Sequence, residues 1–493
     1  MAKTHQLSKS TFMRGLQCEK SLWLYRNRFD LQDEVSAGTQ AIFDQGSNVG
    51  VLAHELFPGG VDLSPEHVNG VPVFGKAIAR TAEAIRGGAM VLYEAAVVHE
   101  GVLVAVDILV RDGAGWKAYE VKSGTSAKDV YQTDAALQHW VLCGSGLDIR
   151  DTSIVHIDTS YVRSGDIDVN RLFKIVSVLE QARARQDEIG GQVARLKEVL
   201  ERTAEPEVAI GPYCSAPYNC SFRGHCWASV PEKSVFDIGG IGAKAWQLYN
   251  SGVVRIEDVP SGFPLYESQR IEVQAAITGR PHIDVEEVRQ LVASLRYPLC
   301  FLDFETVNPS VPLFDGMRPY QQLPFQYSLH RRDVPKGPLA HTAFLGDGRT
   351  DPRPALVEQL LADTAGDGSI LTYSGFEKTQ LNGLAGAIPS RADELRSRIA
   401  RLMDLNAVFR GRHYYSAAMK GSSSIKAVLP ALVPEMSYAG MEIAEGMVAS
   451  GAYASLPAQT DLMEIARIRK ALLDYCALDT LAMVRLLEVL ERV

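Results

Sequence analysis

Long apolar runs are missing from this 493-residue chain. No stretch reaches the roughly 20 residues that cross a bilayer as a helix, so no membrane partner is expected. Cysteine is scarce: seven in the whole chain exclude a disulfide-built scaffold and point to free thiols or metal ligands. A basic surplus is lacking too. Lys and Arg total 50 against 59 Asp and Glu, a formal net charge of −9, which excludes a protein that coats nucleic acid through a general positive field. A local basic groove can still carry phosphate contacts on an acidic protein, and carboxylates gathered to hold metal ions add negative charge. There is no long internal repeat and no low-complexity tract. The polar opening MAKTHQLSKSTFMRG fits neither a signal nor a transit peptide, so a cytoplasmic location is expected.

What is present reads as globular. Hydrophobic residues make up 46% and charged residues 22%, and the length exceeds one ordinary core. An α/β protein in three parts is expected, with boundaries near 230 and 295. The first part, 1–230, opens with helical periodicity to about Asp62. VLYEAAVVHE, VLVAVDILV and WKAYEVKS then read as three strands of a meander. A helix over Ala135–Leu142, a strand near Ser153–Ile157 and a long helix from about Val169 to Arg202 follow. The stretch AEPEVAIGPYCSAPYNCSFRGHCW spaces Pro, Gly and Cys so that no regular ladder forms, and a metal centre is the natural brace. A short Gly-containing segment occupies 231–295, and strands alternate with helices over 296–493.

Two carboxylate constellations carry chemistry. Asp107 lies on one apolar strand, and Glu120 and Lys122 share one face of the next, with Val121 turned inward. Two carboxylates suit a divalent cation such as Mg²⁺ or Mn²⁺, and the ammonium can orient an attacking water; an exposed strand of alternating charge is the plainer alternative. In CFLDFET, Asp303 and Glu305 interrupt a buried strand on one face, which is costly unless a cation pairs them. Tyr475 and Asp479, at i and i+4 of a helix, face one way.

The first of these resembles the RecB-type PD-(D/E)XK nucleases, through SKSTFMRGLQCEKSLWL, the Asp107 strand, YEVKSG and a helix carrying Gln138. The resemblance implies metal ligation by Asp107 and Glu120, catalysis with Lys122, and a positioning role for Gln138. The tyrosine usual four residues after the glutamine is Leu142 here, and the usual upstream histidine is replaced by Val49 or Gly50, leaving His54 as a substitute ligand. Cys18 with Cys214, Cys220 and Cys226 resembles the cysteine set of the nucleases in that group that bind a [4Fe–4S] cluster; Zn²⁺ is the alternative, although paired CxxC knuckles are absent. Cys143, Cys300 and Cys476 read as core residues.

FDIGGIGAKAWQLYNSGVVRIEDV resembles a helix–hairpin–helix module, which implies phosphate contacts from Gly240, Gly242 and Lys244; a plain turn between two helices is the alternative. Asp303, Glu305, Tyr475 and Asp479 resemble the outer motifs of DEDDy (DnaQ-like) exonucleases on an RNase H-like fold. The middle aspartate of that pattern is Glu377 here, with Asp404 as another carboxylate in reach. MRPYQQLPFQYSLH and KGSSSIKAVLP strengthen the likeness to exonuclease-like domains of poorly characterised bacterial proteins, with Lys420 and Lys426 as phosphate contacts or helix flanks. Together the resemblances imply a metal-dependent nuclease acting on DNA ends, in DNA repair or antiviral defence. An RNA-directed 3′–5′ exonuclease, or a nucleic-acid-binding assembly protein with one degenerate site, are the other readings.

Overall fold

The computed structural model describes residues 5–68 and 71–493. The chain is mixed α/β and forms two compact units, Met1–Ser229 with Pro309–Gln321, and Val230–Asn308 with Gln322–Val493. Residues 231–295, expected as a joining module, lie inside the second unit. Among the described residues no helix is long and apolar enough to cross a membrane.

The first unit is built on a seven-stranded mixed sheet. Its centre is the expected meander, Val91–His99, Val102–Asp112 and Gly115–Lys122, paired antiparallel through the Gly113 turn and the Glu100–Gly101 turn. Ile149–Ile157 then pairs parallel to Gly115–Lys122, which requires a crossover, and the helix Asp129–Gly144 supplies it. One face of the sheet buries Leu92, Val104, Val106, Leu109 and Ala118 under that helix and Lys9–Gln17, and Gln186–Glu201 packs on those two helices.

The long helix expected from Val169 to Arg202 is not there. The stretch divides into a short helix Val169–Leu172, a strand Phe173–Ser177, and helices Leu179–Ala184 and Gln186–Glu201. The β-branched Ile175 and Val176 fit a sheet edge better than a helix, and they pair antiparallel to Ile154 and Val155. The cysteine-bearing loop contains only the single turns Pro212–Cys214 and Arg223–Cys226.

The second unit is built on a five-stranded sheet ordered Leu339–Leu345, Leu323–Arg332, Leu299–Val307, Ile370–Thr372 and Leu402–Asp404. The first three are antiparallel, and the last two run parallel to Leu299–Val307. Leu299–Val307 is therefore central, which is why its residues are almost wholly apolar except where Asp303 and Glu305 interrupt it. The 29-residue helix Leu462–Leu490 packs on the sheet and buries Leu472, Cys476, Met483 and Leu487. Residues 231–295 are anchored here by a buried ion pair between Glu272 and Arg412 at 2.6 Å. Gly239 permits the docking, since a Cβ at that position would come within 2.5 Å of Arg412 Nη2 and the Gly421 carbonyl.

Candidate functional sites

The first unit gathers Asp107, Glu120, Lys122 and Gln138 as the residue pattern implied. The register sets Ile108 opposite Tyr119, which brings Asp107 beside Glu120, and Asp107 Oδ2 accepts the Val121 N–H at 2.6 Å. Lys122 Nζ donates to Glu120 Oε1 at 2.5 Å, and Gln138 Nε2 donates to Glu120 Oε2 at 2.6 Å.

Three further groups complete it. Lys9, from the first helix, donates to Glu120 Oε1 at 2.8 Å. Asp134, one turn before Gln138, accepts from Lys122 at 2.7 Å and from Gln138 at 3.1 Å. Glu94 stands in the strand between Tyr93 and Ala95, whose partners Ile108 and Val106 flank Asp107; its φ of 54° is in the left-handed region, unusual inside a strand. Spacing could have singled out Asp134, at i−4 from Gln138 on a helix, whereas Lys9 is brought in only by tertiary packing.

The electrostatics follow from this crowding. Burial raises the Glu120 carboxyl, but Lys122 and Lys9 outweigh it and hold the group ionised. Burial and the Glu120 charge push Asp107 well above the carboxylate range, and the same two causes raise Asp134. Both lysines stay protonated, since their carboxylate neighbours overcome desolvation.

His54, named above as a substitute ligand, is partly buried. It ends the helix Ala37–Ala53 with its ring stacked on Tyr93 at 3.9 Å, and burial lowers it while the charge felt by its ring is that of Asp62. Leu142 is core, and the aromatic ring near Lys122 is Tyr131, 5.4 Å from Nζ, at the other end of the helix.

Cys18, Cys214, Cys220 and Cys226 come together. They line one narrow cavity of about 20 Å³ with Lys20, Tyr213 and Phe222, although Cys18 is about 200 residues from the rest in sequence. Burial raises the Cys18 thiol and pushes Cys226 up to about 11. Cys300 and Cys476 are buried as expected, but Cys143 is exposed, because it falls on the outer face of its helix beside the buried Leu142.

In the second unit, Asp303 and Glu305 project from the central strand toward Asp479 and Tyr475 on the last helix and Glu377 near the start of the helix Phe376–Ala387. Asp479 Oδ1 accepts a 2.5 Å hydrogen bond from Tyr438. Lys426 Nζ donates to the Ala444 carbonyl at 2.7 Å and to the Tyr475 hydroxyl at 3.1 Å. Glu377 Oε2 is buried with no hydrogen-bond partner among the described residues. Among those residues, the group of metal-type ligand atoms that all lie within 4.8 Å of one another is Asp303, Glu305 and Cys476.

Burial and mutual repulsion dominate here. They push Glu305 up to about 8, with Asp479 the main like charge, and Asp303 well above its usual range. Burial raises Glu377 to about 7 and Asp479 to about 6, the latter held down in part by Tyr438 and Lys426. Asp404 pairs with Arg410 at 2.9 Å and raises Glu377 from a distance. Tyr438 and Cys476 were not legible as site residues; the only sequence signal for Cys476 is that it lies i−3 from Asp479 on one helix.

The lysines expected to meet phosphate have protein partners. Lys420 pairs with Glu232 at 2.6 Å, and Lys244 donates to the Pro264 carbonyl at 2.6 Å. Gly240 and Gly242 adopt φ of 63° and 56°, and Gly242 caps the helix Ala243–Asn250.

A domain of unknown function, DUF2779, matches residues 300–424, which is less than half of the chain. The match spans Asp303, Glu305 and Glu377 and ends before Lys426, Tyr475 and Asp479. No curated protein matches the chain.

Proposed function

We propose that this chain is a metal-dependent nuclease that hydrolyses phosphodiester bonds of DNA from free ends, with a PD-(D/E)XK-like site in the first unit and a DEDDy-like site on an RNase H-like second unit. The observation that carries the reading is the charge imbalance at the second site. Asp303, Glu305, Glu377 and Asp479 are drawn together with Lys426 as the cation that faces them. Such a cluster is costly unless cations enter it, and its oxygen donors suit Mg²⁺ or Mn²⁺. When bound, divalent ions stabilise charge on the transferring phosphoryl group and lower the pKa of an attacking water.

The chain's own residues do the rest. Tyr475, its hydroxyl fixed by Lys426, orients the water at the second site. At the first, Asp107 and Glu120 would hold the ion, Lys122, kept protonated by its carboxylate neighbours, orients the water, and Gln138 fixes Glu120. The backbone N–H groups of Gly240 and Gly242 offer a phosphate contact at a helix start, while that of Ile241 is taken by the Ile238 carbonyl.

The cysteine cavity is proposed to hold a [4Fe–4S] cluster bracing the first helices against the loop at 205–227. Cys18 and the three loop cysteines line that cavity together, and zinc is the alternative occupant. Anaerobically purified protein should carry iron and sulfide; stoichiometric zinc without iron would remove the cluster from this reading.

The deciding experiment is degradation of end-labelled single- and double-stranded DNA and RNA with Mg²⁺ or Mn²⁺. DNA should shorten from its ends, and the double variant Lys122→Ala, Asp303→Asn should leave it intact. Loss of RNA alone would redirect the substrate, and no degradation by folded, iron-loaded protein would overturn the hydrolytic reading.

A further inference from the structure

Cys476 is the group at the second site that a purely oxygen-ligated Mg²⁺ or Mn²⁺ centre does not use. It is fully buried, one residue after Tyr475 and three before Asp479, so the helix turns its sulfur to the same side as the Asp479 carboxylate. Its Sγ lies 3.5 Å from Asp303 Oδ2, and Sγ and one oxygen each of Asp303 and Glu305 are all within 4.8 Å of one another. That spacing fits three ligands on one ion. A second observation points the same way: Glu377, 2% exposed, is hydrogen-bonded to Asp303, and its Oε2 lacks a further hydrogen-bond partner among the described residues.

We propose that the second site has a mixed sulfur and oxygen centre, in which Cys476, Asp303 and Glu305 bind a borderline divalent cation of the zinc or cobalt class, with Glu377 as a further oxygen donor. On binding, the thiol S–H bond breaks, its proton passes to solvent and the sulfur–metal bond forms, with no change of oxidation state. Thiolate adds affinity for Zn²⁺ and Co²⁺ and little for the hard Mg²⁺ ion. The site therefore selects transition-metal ions over Mg²⁺. This rests on the reading that the cluster is a metal centre, and it does not require that the centre hydrolyses DNA.

The test uses the full chain as isolated, with its cysteine cavity loaded, titrated with Co²⁺ alone and with Mg²⁺ alone, in the native protein and in Cys476→Ser. X-ray absorption at the cobalt edge should show one sulfur neighbour, and Cys476→Ser should replace it by oxygen. Co²⁺ affinity should fall about ten-fold or more, while Mg²⁺ affinity changes less than two-fold. A merely structural cysteine would weaken both ions alike, and that result overturns the proposal. So does a sulfur neighbour that survives in Cys476→Ser. Should that substitution unfold the chain, Asp303→Asn provides the second measure: Co²⁺ affinity must fall with it, and unchanged affinity refutes the site. DNA hydrolysis with unchanged cobalt ligation would sink this inference and leave the proposed function standing; an intact sulfur–cobalt centre without hydrolysis would do the reverse.

Discussion

The two acidic sites use the same side chains and balance them in opposite ways. In the first unit, Glu120 is held between Lys9 and Lys122 and bonded by Gln138, so its charge is satisfied by the protein itself. In the second, Asp303, Glu305, Glu377 and Asp479 have raised carboxyls, and Lys426 acts on Glu305 and Asp479. The first site brings two ammonium groups to one ionised carboxylate, Glu120, while Asp107 and Asp134 beside it are raised as the carboxyls of the second site are. The difference teaches that carboxylates on a strand do not by themselves reveal whether a site is preformed; the number of ammonium groups that the fold brings to them does.

The largest expected effect tests the second half of that contrast. Asp303→Asn should reduce hydrolysis by the second site about 10³-fold, measured in a Lys122→Ala background. The same change should raise the melting temperature of metal-free protein at pH 8 by about 2–4 °C, because a raised, repelled carboxylate is replaced by a neutral amide. A fall in melting temperature would mean that Asp303 is compensated as Glu120 is.

Lys122→Ala should act with the opposite sign on stability. It abolishes the first activity, leaves the second, and costs about 1–3 kcal/mol by stranding the buried Glu120 and Asp134. Lys9→Ala should cost less, since Lys122 remains on Glu120. Denaturant unfolding measures both, and a stabilising Lys122→Ala would erase the distinction between the sites.

How much of this was legible in the sequence depends on the reach of the contact. Alternation within one strand exposed Glu120 with Lys122 and Asp303 with Glu305, and helical spacing exposed Tyr475 with Asp479, because each pair is local. The meander was legible from its turns. Lys9 on Glu120 and Tyr438 on Asp479 are contacts across 111 and 41 residues, and no periodicity encodes them. The Val169–Arg202 helix failed because charged flanks hid a short β-branched run that the sheet edge captures. Cys143 failed because an apolar neighbourhood in sequence does not fix which face of a helix a residue takes.

A smaller effect is expected in the pH dependence of the metal-free protein. Glu305, Glu377 and Asp479 have folded values near 8, 7 and 6, raised by burial above the ordinary range near 4. The folded state therefore binds more protons than the unfolded state between about pH 4 and 8. The stabilising contribution of these groups is fully present below that window and is lost as pH rises through it, by up to about 1.4 kcal/mol per pH unit for each proton in excess. Saturating Mn²⁺ should flatten the slope, since the ion replaces the protons. Urea titrations at pH 5, 6.5 and 8 measure it, and a slope unaffected by Mn²⁺ would place its origin outside the cluster.

The smallest effect belongs to Tyr475→Phe, and it separates positioning from ligation. Tyr475 is 4% exposed, and its ring packs edge-on to Tyr438 at 6.3 Å, so removing the hydroxyl leaves the packing in place. Lys426 loses its 3.1 Å partner but keeps the Ala444 carbonyl at 2.7 Å. No carboxylate is touched, so Mn²⁺ affinity should stay within two-fold of native. The attacking water loses its orienting group, and the rate should fall about ten-fold or more. Because Lys426 also faces Glu305 and Asp479, Lys426→Ala should lower the rate and strengthen Mn²⁺ binding, through removal of a competing cation. Rate loss with unchanged affinity in Tyr475→Phe, beside rate loss with tighter binding in Lys426→Ala, would establish that the tyrosine orients the water and takes no part in holding the metal; equal affinity losses in both variants would show instead that the hydroxyl and the ammonium merely support the fold.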